Sequence, residues 1–147
     1  MPNGLMPYLS PPTLTRAEQE ALLQACSEHP RDHLIFSLAL GTGLRLAEIV
    51  GLDVEDAFFP DGSPRGRIRL RREIAKGRRA GDVFLPDALE PKLRRFWAYK
   101  LQSGESGPAL FCNQSGNGLS MRRVQVAFKT WQRRAGFDRL YPCHHRC

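Results

Sequence analysis

One segment limits the possible folds more than any other. Leu34, Ile35, Leu38, Ala39 and Leu40 make a helix apolar over much of its circumference, and Gly41-Thr42-Gly43 stops it. A helix without a polar stripe cannot lie on a surface, so the rest of the chain must wrap around it. The 147 residues are enough for one domain with a real core. Hydrophobic residues at 41% beside 25% charged exclude a disordered tail. There is no apolar run near the ~18 residues of a membrane span. The start, Met-Pro-Asn-Gly-Leu, lacks the basic and apolar regions of a leader. Four cysteines, two of them among the last five residues, do not form a disulfide framework. The expected setting is therefore reducing and cytoplasmic, with no membrane partner.

The charge is divided along the chain. Residues 1–60 carry three basic and eight acidic side chains, a net of −5. Residues 61–147 carry nineteen basic and seven acidic, a net of +12. A basic half of this strength is the footprint of a nucleic-acid partner.

Residues 1–13, with four prolines, read as a linker or tail, and 14–147 as the domain. Thr15-Arg16-Ala17-Glu18 is a capping box that opens a first helix, ending near His29-Pro30. The apolar helix comes second, and a short one spans Leu46 to Leu52. Arg67-Ile68-Arg69-Leu70-Arg71 alternates as a half-buried strand should, and Asp82-Val83-Phe84-Leu85 is its partner. Asp53 to Phe59 is taken as a third strand. A helix from about Asp87 to Leu101 must hold Pro91 in its first turn. Ser120 caps a last helix with Met121, Val124, Phe128 and Trp131 on its inner stripe. Arg122, Lys129 and Arg133 fall opposite, and Gly136 suits the C-terminal cap. The expected fold class is mainly α (α+β), a helical domain with a small three-stranded antiparallel sheet.

Three features fall in a telling order. Gly41-Thr42-Gly43-Leu44-Arg45-Leu46-Ala47-Glu48-Ile49-Val50-Gly51-Leu52 comes first. Lys76-Gly77 follows in a turn between two strands, and a basic helix then ends Ala135-Gly136-Phe137. From Leu14 to about His144 this resembles the catalytic domain of the tyrosine recombinases, the phage-integrase family. The resemblance implies DNA cleavage by a tyrosine, a covalent 3′-phosphotyrosine, and rejoining to another 5′-hydroxyl. It implies double-stranded DNA as partner, with self-association on DNA, in a bacterial or phage-derived, nucleoid-associated protein. It implies no cofactor and no metal, because the phosphotyrosyl link retains the bond energy.

The same resemblance assigns residues. Arg45 matches an arginine that stabilises the charge gathering on the scissile phosphate, a task suited to a planar, always-charged fork. Lys76 matches the turn lysine that protonates the leaving oxygen. Glu48, one helical turn after Arg45, is expected to hold its guanidinium. Arg72, Arg78, Arg79, Arg122, Lys129 and Arg133 are expected to meet the DNA backbone.

The pattern breaks at the end. The family's His-x-x-Arg motif should follow Ala-Gly-Phe, and the chain reads Tyr141-Pro142-Cys143-His144-His145-Arg146-Cys147. If Arg146 is the second catalytic arginine, Cys143 fills the histidine slot. If His144 is the motif histidine, Cys147 fills the arginine slot. The second register is favoured, since some members place one residue between the proline and the histidine. The nucleophile should come some thirty residues later, and Tyr8, Tyr99 and Tyr141 all precede that point. The expectation is a C-terminally incomplete recombinase domain that binds DNA without cleaving it alone. A rival reading takes Cys143, His144, His145 and Cys147 as zinc ligands in an interaction protein. Four such closely spaced residues rarely all reach one tetrahedral ion.

Overall fold

Thr15 opens the first helix, α1 (Arg16–Ala25), through the expected reciprocal cap. Its hydroxyl accepts the Glu18 amide at 3.1 Å, and the Glu18 carboxylate accepts the Thr15 amide at 2.8 Å. Each bond satisfies a donor that the first helical turn leaves without a partner. The structure is a computed structural model describing residues 14–75 and 81–141. The 1–13 tail, Lys76, Arg78, Arg79, His144, Arg146 and the terminal cysteine–histidine cluster lie outside those residues.

The apolar segment forms α2 (Pro30–Thr42), in which every residue from Asp32 to Ala39 is buried. Pro30 sits in the first turn, where its missing amide costs nothing. Gly43 ends the helix at φ 73°, a left-handed conformation that a side chain would resist. Two short helices follow, α3 (Leu46–Val50) and α4 (Val54–Ala57).

The α4 segment corrects the expected third strand. Asp53 is the N-cap of α4, and the Asp56 carboxylate reaches back to the Asp53 amide at 2.8 Å. This box shortens Asp53–Phe59 into a helical turn, with single bridges from Asp53 to Ala109 and from Phe58 to Pro64. Among the described residues the sheet has two antiparallel strands, β1 (Arg67–Leu70) and β2 (Gly81–Phe84). Arg67 pairs with Phe84 and Leu70 with Gly81. Ile68 and Leu70 point into the core while Arg67 and Arg69 face out, as their alternation requires.

A 3₁₀ turn (Asp87–Leu89) leads into α5 (Glu90–Ser103), with Pro91 in its first turn. The last helix, α6 (Met121–Arg134), is capped by the Ser120 hydroxyl, which accepts the Arg123 amide at 3.1 Å. Val124 and Phe128 are buried as expected, and Trp131 is half-buried. Met121 departs from the expected stripe. It is 39% exposed, because the first turn of α6 projects past the core.

The core lies between α2, α5 and α6. Phe36 meets Phe128 with ring centroids 5.6 Å apart, and Phe96 meets Phe111 at 5.4 Å. Complete burial of such rings is the main stabilising contribution, each worth roughly 1.5–3 kcal/mol. Lys100, in the last turn of α5, lies beneath the surface. Its ammonium donates to Glu105 at 2.9 Å and to the Leu110 carbonyl at 3.0 Å, which ties down the glycine- and serine-rich loop.

Gln132 fastens the last described residue. Its amide nitrogen donates to the Tyr141 carbonyl at 2.8 Å, and its oxygen accepts the Tyr141 amide at 2.6 Å. The Tyr141 hydroxyl then donates to Glu18 at 3.0 Å.

Candidate nucleic-acid interface

Arg45 stands at a corner that the backbone makes rigid. Gly43 reverses the chain out of α2, and the Thr42 hydroxyl accepts the Leu44 amide at 3.2 Å. Arg45 has extended backbone as the N-cap of α3. The fully buried Glu48 accepts the Arg45 amide at 2.8 Å. Leu44 and Leu46 are both sunk in the core, leaving Arg45 half-buried between them. Glu48 thus fixes the backbone from which the guanidinium extends. A charged fork on so firm a base can stabilise a phosphoryl group without reorganising first.

A second set of ion pairs fixes the chain leading to Lys76. The Arg71 guanidinium donates to Asp56 at 2.9 Å and to the Gly51 carbonyl at 2.8 Å. Arg69 donates to Asp56 at 3.3 Å and to Glu55 at 2.8 Å. Asp56 is itself completely buried. Gly51 is needed for close approach: a Cβ there would lie 2.7 Å from the Ile74 side chain. Ala75, the residue before Lys76, is buried. The segment up to Ala75 is thereby tied to α3 and α4, the helices that follow Arg45.

The remaining expected cations are on the surface. Arg72, Arg122, Lys129 and Arg133 are all exposed, the last three along one face of α6. Sequence reasoning missed a second row on that helix. Arg123 and Arg134 flank an open groove of about 450 Å³, faced across by Arg31 at the start of α2. Their eleven-residue separation was visible in the sequence, but the apposition of α2 was not.

The hydrogen bond to Glu18 raises the Tyr141 hydroxyl above its ordinary value, and burial raises that of Tyr99. No group of three or more metal-ligating side chains occurs among the described residues, and no described helix is long and apolar enough to cross a membrane.

Residues 12–146 match the model of the phage integrase family. The chain belongs to that family. A tyrosine recombinase XerC of Chromobacterium violaceum is 34% identical over 124 residues, covering 84% of this chain and 37% of the relative. A putative integrase/recombinase, y4rC, of Sinorhizobium fredii is 37% identical over 116 residues, covering 76% of this chain and 32% of that protein. Less than half the length of these integrase-family relatives is therefore spanned. The solved XerA recombinase superposes with a TM-score of 0.76 at 20% identity, covering 92% of this chain and 47% of that one. The lambda integrase catalytic core gives 0.61 at 20% identity, covering 87% and 74%. These likenesses establish an integrase-type catalytic fold.

Proposed function

We propose that these residues form the phosphate-binding part of a recombinase catalytic domain, and that they bind double-stranded DNA. The activity proposed for a recombinase that carries these residues is strand cleavage and rejoining through a phosphotyrosine. Arg45 carries this reading. Its place on a rigid corner, over a buried carboxylate that caps its own amide, suits a transition-state cation rather than a solvated surface arginine. Lys76 is proposed as general acid, and His144 or Arg146 as the motif residue near the end. Arg72, Arg78, Arg79, Arg122, Lys129 and Arg133 are proposed backbone contacts. Assembly on DNA with other copies is part of the same proposal. Solved relatives include a lambda integrase dimer on a core site and a tetramer on a Holliday junction.

The 147-residue chain is proposed to bind without cleaving, because its described tyrosines are both engaged or buried. The test has two readouts. Duplex affinity should fall steeply with salt through counterion release. A nicked suicide duplex should give no covalent adduct. A flat salt response would remove DNA binding, and an adduct would remove the claim of inactivity.

A further inference from the structure

We propose that the groove between α2 and α6 is a second site for the phosphodiester backbone of duplex DNA, separate from Arg45. The inference rests on the DNA-binding reading and adds a surface to it. α2 is thirteen residues long, so its two ends are about 20 Å apart. Arg45 follows one end, while His29, Arg31 and Asp32 at the other end line the groove.

The opposite wall is one flank of α6. Eleven residues make just over three helical turns, so Arg123 and Arg134 lie on one line about 16 Å apart. Thr130 and Ala127 lie between them. Each strand carries one charge per about 3.4 Å of duplex axis, so a line of this length laid parallel to that axis passes some five phosphates.

The charge in the groove is available for a ligand. Asp32 is the acidic side chain lining it, and it is already occupied. It accepts Trp131 Nε1 at 2.8 Å and Arg31 Nε at 3.0 Å, and is 4% exposed. Arg31 also donates to the Cys112 carbonyl at 3.2 Å, so its position is fixed. Arg123 and Arg134 are exposed, and no carboxylate pairs with either among the described residues. Arg134 lies over the Trp131 ring, 4.9 Å from its centroid, which holds the guanidinium at the rim. Asn113 and Ser115 on the facing loop add neutral donors. Fixed arginines, neutral donors and a sequestered carboxylate suit a line of phosphates. They do not suit an apolar helix or a free metal ion.

The face carrying Arg122, Lys129 and Arg133 is turned about 100° from the groove line. The two rows can therefore be tested separately. The full chain is titrated into a fluorescent 30-base-pair duplex at several salt concentrations. The same is done with R123Q/R134Q and with R122Q/R133Q. Arg31 is left intact because it supports Asp32. R123Q/R134Q should bind at least tenfold more weakly at low salt. Its log–log salt slope should fall by nearly two, about 0.9 for each lost phosphate contact. Its melting temperature should match the wild type.

An unchanged slope in R123Q/R134Q, with a reduced one in R122Q/R133Q, would overturn the groove site and leave DNA binding standing. A wild type that binds no duplex would overturn both. A third arm uses a poly-glutamate peptide. If that peptide binds the wild type and loses binding in R123Q/R134Q while duplex binding is unaffected, the groove belongs to an acidic protein segment and the proposal fails.

Discussion

Asp56 holds Arg71 at 2.9 Å from a position with no exposure to solvent. The pair joins α4 to the chain just past β1. Because the carboxylate also accepts the Asp53 amide, one side chain sets both a helix start and the exit of a strand.

Asp56→Asn keeps the shape and loses the charge. Hydrogen bonds to charged groups are worth more than neutral ones, and the arginines left behind are partly solvated. Urea unfolding should show a loss of about 2 kcal/mol. A loss below about 0.5 kcal/mol would mean that desolvation cancels the pairing.

Gln132→Ala should cost a similar amount for a different reason. It strips both partners from the Tyr141 backbone and leaves a hole beside α6. An unmet buried group costs roughly 1–3 kcal/mol. Tyr141→Phe removes only the bond to Glu18, so it should cost distinctly less. Thermal melts of both variants give the ranking, and equal losses would contradict it.

Burial holds His33 below its ordinary value of 6.5, with Lys92 and Arg95 adding to the effect. The ring sits against the Leu23 carbonyl at 3.0 Å. The unfolded chain therefore takes up a proton more readily than the folded one. Stability contributed by the neutral ring is complete above about pH 6.5 and is lost as pH falls from there through the lower value of the folded state. Denaturant midpoints from pH 7.5 to 5 should decline, and His33→Asn should flatten the decline. The same slope in the variant would place the titration elsewhere.

Burial pushes the Cys26 thiol up to about 12, and the charge of Asp32 reinforces it. The thiolate is the reactive species, so Cys26 should resist iodoacetamide at pH 8 in the folded protein. It should react fully in urea. Peptide mapping separates it from the other three cysteines, and rapid native labelling at Cys26 would show that the core opens.

Local rules made most of the fold legible. The Thr15–Glu18 box, the glycine stop after α2, the alternation of β1, the early Pro91 and the Ser120 cap all act within four residues. Asp53–Phe59 was misread because Val54, Phe58 and Phe59 favour strands. The Asp53-x-x-Asp56 spacing that wins there is a capping box with aspartate in place of glutamate. The corner that carries Arg45 was legible as a glycine stop followed by a short helix. Glu48 accepts the Arg45 amide there, the N-cap contact that the Arg45-x-x-Glu48 spacing allows. The groove and the burial of Gln132 depend on segments that meet only after folding, so no short window of sequence contains them.

The bond between Tyr141 and Glu18 joins residues 123 positions apart. It has a consequence for the order of synthesis. On a ribosome, α1 emerges early with its cap in place, yet Glu18 must wait for the 123 residues that follow it before Tyr141 arrives. Contacts of such separation carry a high loop-closure cost and form late. The Tyr141 clasp therefore closes only after the helices it spans have been made, so a nascent chain halted before residue 141 would present the Gln132 amide open to water.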